Sequence, residues 1–379
     1  MNVILSVEPV RFPLTGIGRY TYELAKGLQE SEDLESLKLF SGTRFMDHLP
    51  VPSHESTSSH GLKRLIQRSG TAMELYRRLM PLIRAYSLRG HEDFIYHGPN
   101  FSLPPFPGRK VATIHDLSAF KWPETQDPIK VRYLQKELGK TLDSADALIT
   151  PSEFIRRELA EFAAWPLEKI HAVPLAAGPE FRPRGEEELQ PFLKRHGLSY
   201  QGYTLFVGTI EPRKNLESLL DAYRQLPKAV RQRWPLVLSG YWGWQSDDIH
   251  ARIKDAEREG WAKYLGFLPA QDLPLLYSGA RLFAFPSLYE GFGLPILEAM
   301  QSGVPVVCSD AASLPEVAGD AALCQKVEDV PGLADGVRSV LEEQVLRNRL
   351  ISDGSARSEC FSWAECIAGT RMAYHATQP

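Results

Sequence analysis

Short β-branched apolar runs alternate with longer amphipathic stretches along nearly the whole chain. In the first half the runs fall at residues 2–7, 38–40, 94–96, 110–114, 147–150 and 170–173. In the second half they fall at 204–207, 236–238, 264–267, 282–285, 304–308 and 322–324. Short continuous apolar runs separated by helical stretches imply parallel strands buried on both faces under covering helices. The alternation therefore predicts an α/β chain built of βα units. Between the halves, residues 174–183 are rich in Pro and Gly and follow a strand, which is linker chemistry. A chain of 379 residues exceeds one ordinary core. The expectation is two doubly wound, Rossmann-like domains joined near residues 175–185 and facing each other across a cleft. Ligands in such sheets collect beyond the carboxyl ends of the strands, so those ends are where chemistry is sought.

Charge and composition exclude several classes. The formal net charge is −4, so no global positive field exists and a dedicated nucleic-acid binder is excluded. No apolar run approaches the ~18 residues of a membrane span. The start, Met1-Asn2-Val3-Ile4, lacks a basic leader region, and a cytoplasmic location is the expectation. Cys308, Cys324, Cys360 and Cys366 form no CxxC pair and read as reduced thiols rather than a disulfide frame or a zinc site.

The most informative segment runs from Phe285 through Glu290-Gly291-Phe292-Gly293-Leu294-Pro295 to Glu298. A strand ends, a loop with two glycines follows, and Pro295 suits the first turn of a helix. The backbone N–H groups of Gly291, Phe292, Gly293 and Leu294 are then expected at a helix N-terminus, which favours anions. Glu290 in the loop and Glu298 one turn into the helix flank that site with carboxylates suited to sugar hydroxyls. As a loop carboxylate, Glu290 is expected to be dispensable for folding. A second segment, Val207-Gly208-Thr209-Ile210-Glu211-Pro212-Arg213-Lys214-Asn215, ends another strand. Asn215 reads as the cap of a following helix. Arg213 and Lys214 would sit at its positive end, a local cost that a bound diphosphate removes; the alternative is a solvated basic turn.

Weaker signals accompany these. Gly16-Ile17-Gly18 follows the first strand. It is either a tight βα turn or a mobile loop offering N–H groups to a phosphate or an acceptor, and without a third glycine it is a poor nicotinamide signature. His115-Asp116 lies just past a strand, where His115 can donate to a sugar hydroxyl or share charge with Asp116. The aromatic loop Tyr241-Trp242-Gly243-Trp244 either packs on a base or sugar or walls its domain, the wall being favoured. Residues 62–90 hold seven cations against one acid, interleaved with Leu, Ile, Met and Tyr. They read either as basic amphipathic helices lying on an anionic bilayer or as a helix with a solvated basic face.

Taken together, Glu290 and Glu298, Glu211-Pro212-Arg213-Lys214-Asn215, the Gly16-Ile17-Gly18-Arg19-Tyr20 turn and Ile114-His115-Asp116-Leu117 resemble the family-4 glycosyltransferases of the GT-B fold. The resemblance implies a retaining transfer of a sugar from a nucleotide-diphosphate sugar, with no metal or other cofactor. By it, residues 1–180 form an acceptor-binding domain and residues 181–360 a nucleotide-sugar-binding domain, while residues 361–379 form a helix crossing back to the first. Arg213 and Lys214 would bind the diphosphate, Glu290 the donor sugar's hydroxyls and Glu298 the ribose, with Gly16, Gly18, Gly208 and Thr209 completing the donor site and His115 joining the catalytic set. The motifs look most like bacterial mannosyl- or rhamnosyltransferases of O-antigen and related polysaccharides. The implied partners are a GDP-sugar, a polyprenyl-diphosphate-linked saccharide and the inner face of the membrane, reached through residues 62–90. Alternatives are a UDP- or other sugar donor, a nucleotide-sugar isomerase, or a non-catalytic sensor.

Overall fold

The computed structural model describes residues 1–50 and 70–377, the side chains of 70–78 excepted. Strands β1 (Asn2–Ser6), β2 (Ser36–Phe40), β3 (Phe45–Met46), β4 (Ile95–Gly98), β5 (Arg109–Thr113), β6 (Ala147–Thr150) and β7 (Ile170–Ala172) form one sheet in the order β3-β2-β1-β4-β5-β6-β7. All neighbours pair in parallel except β2 with β3. Strands β8 (Thr204–Val207), β9 (Leu236–Ser239), β10 (Ala262–Tyr264), β11 (Leu282–Phe285), β12 (Val306–Ser309) and β13 (Ala322–Gln325) form a second, wholly parallel sheet, ordered β10-β9-β8-β11-β12-β13. The expected pair of doubly wound, Rossmann-like sheets is present. Both faces are buried, as continuous apolar strands demand: Val3, Ile4 and Leu5 are fully enclosed in one sheet, and Phe283, Ala284 and Phe285 in the other.

Two elements depart from expectation. The two-residue β3 has no apolar run to announce it. Strand β10 ends at Tyr264 instead of beginning there, because Gly266 turns the chain with φ +69° and Phe267 emerges into solvent. Cys308 and Cys324 face each other across β12 and β13, sulfurs 3.6 Å apart and unbridged.

The order of strands reverses beside β1 in the first sheet and beside β8 in the second. The loops leaving these two strands therefore open at the switch points where such sheets bind ligands. The domains touch beside these openings, through the segments that follow β5, β6, β11 and β12. Ser152 Oγ donates to the Gly291 carbonyl at 2.8 Å, and the Leu117 N–H donates to Tyr289 Oη at 3.1 Å. Glu316 of the second domain accepts from the N–H groups of Glu153 and Phe154, at 2.7 and 2.9 Å. It thereby occupies the positive end of helix Glu153–Ala163 in the first domain.

The last helix, Trp363–His375, returns to the first domain. It starts at Ser362, whose hydroxyl accepts from Glu365 N–H, and packs on helix Gly16–Gln29 and on β6 and β7. Gly27 permits the approach, since a Cβ there would fall 1.8 Å from Ile367. Tyr374 Oη bonds His97 Nδ1 at 2.7 Å, and His97 Nε2 bonds Thr113 Oγ1 at 2.8 Å, all buried.

Of the basic stretch 62–90, residues 62–69 and the side chains of Arg77 and Arg78 lie outside the described residues. Helix Gly70–Ser87 turns Leu79, Leu82, Ile83 and Tyr86 to solvent, 45–70% exposed. Arg84 corrects the expectation of a free basic face: its guanidinium is drawn into a bidentate pair with Glu8 at 2.7 and 2.9 Å. Among the described residues no helix is long and apolar enough to cross a membrane.

Candidate functional site

Strand β8 runs into Gly208, then a single 3-10 turn, Pro212–Lys214, and then helix Leu216–Gln225. Pro212 presets the turn, and Asn215 takes the left-handed conformation (φ 54°) that Asn tolerates. Asn215 is therefore not a side-chain cap. Its Nδ2 donates to the Pro286 carbonyl at 3.1 Å, and its Oδ1 accepts from Ser218 at 2.7 Å. The two cations ride on the turn before the helix and not at the helix start. Arg213 Nη1 donates to the Tyr289 carbonyl at 2.6 Å and to Glu290 Oε2 at 3.1 Å, while its Nη2 donates to Glu211 Oε1 at 2.8 Å. Lys214 Nζ donates to Glu290 Oε1 at 2.5 Å and lies 5.3 Å from the Phe285 ring centroid.

The partner loop leaves β11 and enters helix Leu294–Gln301 with Gly293 at φ +114° and Pro295 in the first turn. Among the described residues, the N–H groups of Gly291, Phe292, Gly293 and Leu294 donate to no protein acceptor. The loop is pinned from beneath: the Ser313 hydroxyl sits 2.8 Å from the carbonyls of both Glu290 and Phe292. Glu290 is 9% exposed. Burial alone would raise its carboxyl, but the Lys214 and Arg213 cations outweigh burial and hold it at about 2. This corrects the view of Glu290 as dispensable for folding: it neutralises two buried cations. Glu298, one turn into the helix, behaves oppositely. Burial pushes its carboxyl up to about 7 against the pull of Arg19 from the first domain.

On the facing side, His115 follows β5. Its Nε2 donates to the Pro99 carbonyl at 3.0 Å, and the Tyr20 ring stands edge-on to it at 5.0 Å. Burial lowers its pKa, keeping the ring neutral, so the remaining nitrogen, Nδ1, is an acceptor. Nδ1 is thus the nitrogen left to face a ligand, as an acceptor and not as the donor that the sequence suggests. Asp116 bonds Ser118 rather than His115.

The glycines divide. Gly16 and Gly18 open helix Gly16–Gln29 instead of forming a loop, and the Gly18 N–H is engaged by the Thr15 cap at 3.4 Å. The Gly208 N–H belongs to the Ser239 carbonyl at 3.0 Å; Thr209 adjoins it at the strand end. Gly291 is required by contact, since a Cβ there would lie 1.9 Å from the His115 carbonyl oxygen. The structure thus gathers His115, Arg213, Lys214, Glu290 and the Gly291–Leu294 loop at one junction. The aromatic loop covers its own domain with half-exposed rings: Tyr241 stacks on Phe267 at 4.0 Å and Trp242 on His250 at 3.4 Å between centroids. Glu211, Tyr289 and Ser313 also build the site. Glu211 stands in the quoted motif, whereas Ser313 has no signal because its partner lies 23 residues away.

A cleft between two such domains, with paired cations and a bare helix N-terminus at the second switch point, is the layout of the GT-B transferases of nucleotide-activated sugars. Comparison with known proteins narrows the class. Residues 14–180 match the model described as Glycosyltransferase Family 4, and residues 193–357 match that described as Glycosyl transferases group 1. Over 378 residues the chain is 45% identical to O-antigen chain mannosyltransferase B of Escherichia coli, covering 99% of each. It is 32% identical over 285 residues to the serotype-specific mannosyltransferase WbdA of the same species, covering 73% of this chain and 34% of that protein. The fold alone is shared with WaaG, a glycosyltransferase involved in lipopolysaccharide biosynthesis, at 14% identity, TM-score 0.69 and full coverage of both chains. Anabaena HepE in complex with UDP-glucose superposes with TM-score 0.74 at 16% identity, covering 99% and 100%. The chain belongs to the family-4 glycosyltransferases, and it is an enzyme.

Proposed function

We propose that the enzyme transfers mannose from a GDP-sugar, with retention and without a metal, onto a saccharide carried by a polyprenyl diphosphate, extending an O-antigen-type chain. The observation that carries this reading is the whole-length, 45% identity to an O-antigen chain mannosyltransferase. The site is suited to it. Arg213, Lys214 and the unpaired N–H groups of the Gly291–Leu294 loop supply positive potential for a departing diphosphate. Glu290 accepts from donor-sugar hydroxyls and Glu298 from the ribose. The acceptor hydroxyl attacks from the face the diphosphate leaves. The C1–O bond to phosphate breaks as the C1–O bond to the acceptor forms, and the hydroxyl proton passes to the departing phosphate oxygen. His115 Nδ1 orients a hydroxyl beside this centre.

Docking to the inner face of the membrane accompanies the proposal, supported by the exposed Leu79, Leu82, Ile83 and Tyr86 on helix Gly70–Ser87. Thermal-shift titration with GDP, UDP, ADP and TDP tests the donor, since stabilisation grows with free ligand over Kd. GDP is expected to stabilise most, and a larger effect of UDP replaces the donor assignment. Transfer is expected to survive EDTA; complete loss restored by Mg²⁺ refutes metal independence. Anionic vesicles are expected to sediment the protein at low salt. A variant with Arg77 and Arg78 changed to Glu, leaving the Arg84–Glu8 pair intact, is expected to stay in solution.

A further inference from the structure

Tyr289 directly precedes Glu290 in the loop that leaves β11, yet its side chain belongs to both domains. It is 4% exposed. Its carbonyl accepts from Arg213 Nη1 at 2.6 Å, within the second domain. Its phenol crosses to the first domain, where Oη accepts from the Leu117 N–H at 3.1 Å and donates to the Glu158 carboxylate. Burial and the Glu158 carboxylate both push the phenol's pKa far up, so it stays protonated and keeps its donor role. Among the described residues the Leu117 N–H has no other acceptor, and Leu117 is itself buried, in the turn that carries His115 and Asp116. Glu158 stands on helix Glu153–Ala163, and its other oxygen lies 3.6 Å from Lys121 Nζ, just past the same turn. The Phe154 ring meets the Tyr289 ring edge-on at 6.4 Å between centroids. Glu316 holds the start of that helix, so the second domain grips it at two separate points.

One rigid ring thus joins the guanidinium proposed to meet the diphosphate to the turn that carries His115. A tyrosine that only filled space would lose nothing with its hydroxyl. This one would strand a buried backbone donor and release a carboxylate, each on the far side of the domain boundary. Both hydroxyl bonds are spent on the first domain, so none is left for the nucleotide sugar. We propose that Tyr289 is a positioning residue: it sets the placing of the donor, held by the second domain, against the His115 turn of the first, and so acts on transfer and not on donor affinity. Glu158 is its counterpart on the first domain. A misplacement of about 1 Å between reacting groups costs about a hundredfold in rate, so a modest loosening of this tie is enough to be read in turnover. The proposal rests on the transferase reading above, from which its assay takes donor and acceptor.

The test is a double-mutant cycle read in kcat. Tyr289→Phe keeps the ring and removes both hydroxyl bonds. With an α-mannobiose glycoside as acceptor and both substrates saturating, its kcat is expected to fall by about tenfold, while the Kd for the nucleotide sugar, from calorimetric titration, stays at the wild-type value. Glu158→Ala is expected to lower kcat in the same way. Glu158→Gln still offers an oxygen to the phenol and is expected to keep kcat within about twofold of wild type. The double variant Tyr289→Phe/Glu158→Ala is expected to lose no more than Tyr289→Phe alone, since partners in one contact share one interaction energy. Wild-type kcat in Tyr289→Phe overturns the proposal. So does a double variant whose loss is the product of the two single losses, and so does a Kd that weakens as far as kcat falls, which would make Tyr289 part of the donor site. If Tyr289→Phe does not fold, the contrast between Glu158→Ala and Glu158→Gln decides on the same readings. If the wild-type chain turns over no nucleotide sugar at all, the transferase reading fails instead, and that outcome is told apart by the absence of product with every donor.

Discussion

Glu290→Gln removes one charge from a cluster whose four members are all largely buried: Lys214 at 2.5 Å, Arg213 at 3.1 Å, and Glu211 beyond Arg213. A carboxyl held at about 2 where 4.5 is ordinary gains roughly 3 kcal/mol from its charged form. Neutralising it forfeits that amount and leaves two buried cations sharing one carboxylate. At ~2–4 °C per kcal/mol for domains of this size, the melting temperature is expected to fall by about 6–12 °C. Binding moves the other way. The cluster changes from neutral to +1, so free GDP, which carries no sugar for Glu290 to hold, is expected to bind about tenfold more tightly, or about 1.4 kcal/mol, a conservative share of the Coulomb energy available at this depth. Turnover of the GDP-sugar is expected to fall by tenfold or more, because the sugar contact is gone. Calorimetric titration with GDP, melting and initial rates on the same variant separate the three effects. An unchanged melting temperature together with unchanged or weaker GDP binding would refute the reasoning, for it would mean that Glu290 does not neutralise Arg213 and Lys214 in solution.

Lys214→Ala and Arg213→Ala are each expected to weaken GDP binding by at least about tenfold, as charge-assisted bonds to phosphate do; isothermal titration measures it, and wild-type affinity in both removes them from the phosphate site. With the Glu298 carboxyl at about 7, roughly one molecule in ten carries the charge at pH 6 and nine in ten at pH 8. Donor affinity should therefore rise up to about ninefold across that interval if ribose hydroxyls donate to the carboxylate, and Glu298→Gln should flatten the profile. Gly291→Ala places a methyl 1.9 Å from the His115 carbonyl oxygen. The Gly291 loop or the His115 strand end must then shift by about 1 Å, which is expected to lower both the melting temperature and kcat; wild-type values of both would show that the contact is relieved without disturbing the site.

Much of this architecture was legible because buried parallel strands write themselves as short apolar runs. Phe283, Ala284 and Phe285 are enclosed on both faces and so could carry no polar residue. The switch-point loops were legible for a related reason: Gly291, Gly293 and Pro295 answer local backbone demands that only those residues meet. What stayed hidden were relations between distant segments. Nothing near Glu290 announces that Lys214, 76 residues earlier, shares its proton balance. Nothing near His115 in the sequence says that Nε2 is spent on Pro99, 16 residues earlier, which leaves Nδ1 alone to face a ligand. Arg84 was counted among free cations because Glu8 lies 76 positions away. Asn215 holds the N-cap position that its residue type suggests, but the turn begun by Pro212 puts it in the left-handed conformation, so its side chain bonds Pro286 and Ser218 instead of capping the helix.

The return of helix Trp363–His375 to the first domain makes the chain cross between the sheets twice, once through residues 174–185 and once through 359–363. A single crossing would leave the second domain free to swivel about any line through that point. Two crossings leave one easy rotation, about the line joining them, and hinder twist and sliding. The returning helix is also fastened through Tyr374 to His97 and Thr113, beneath the strand end that carries His115. Opening of the cleft is thus reduced to a door on two hinges, and whatever enters must do so from the edge opposite them.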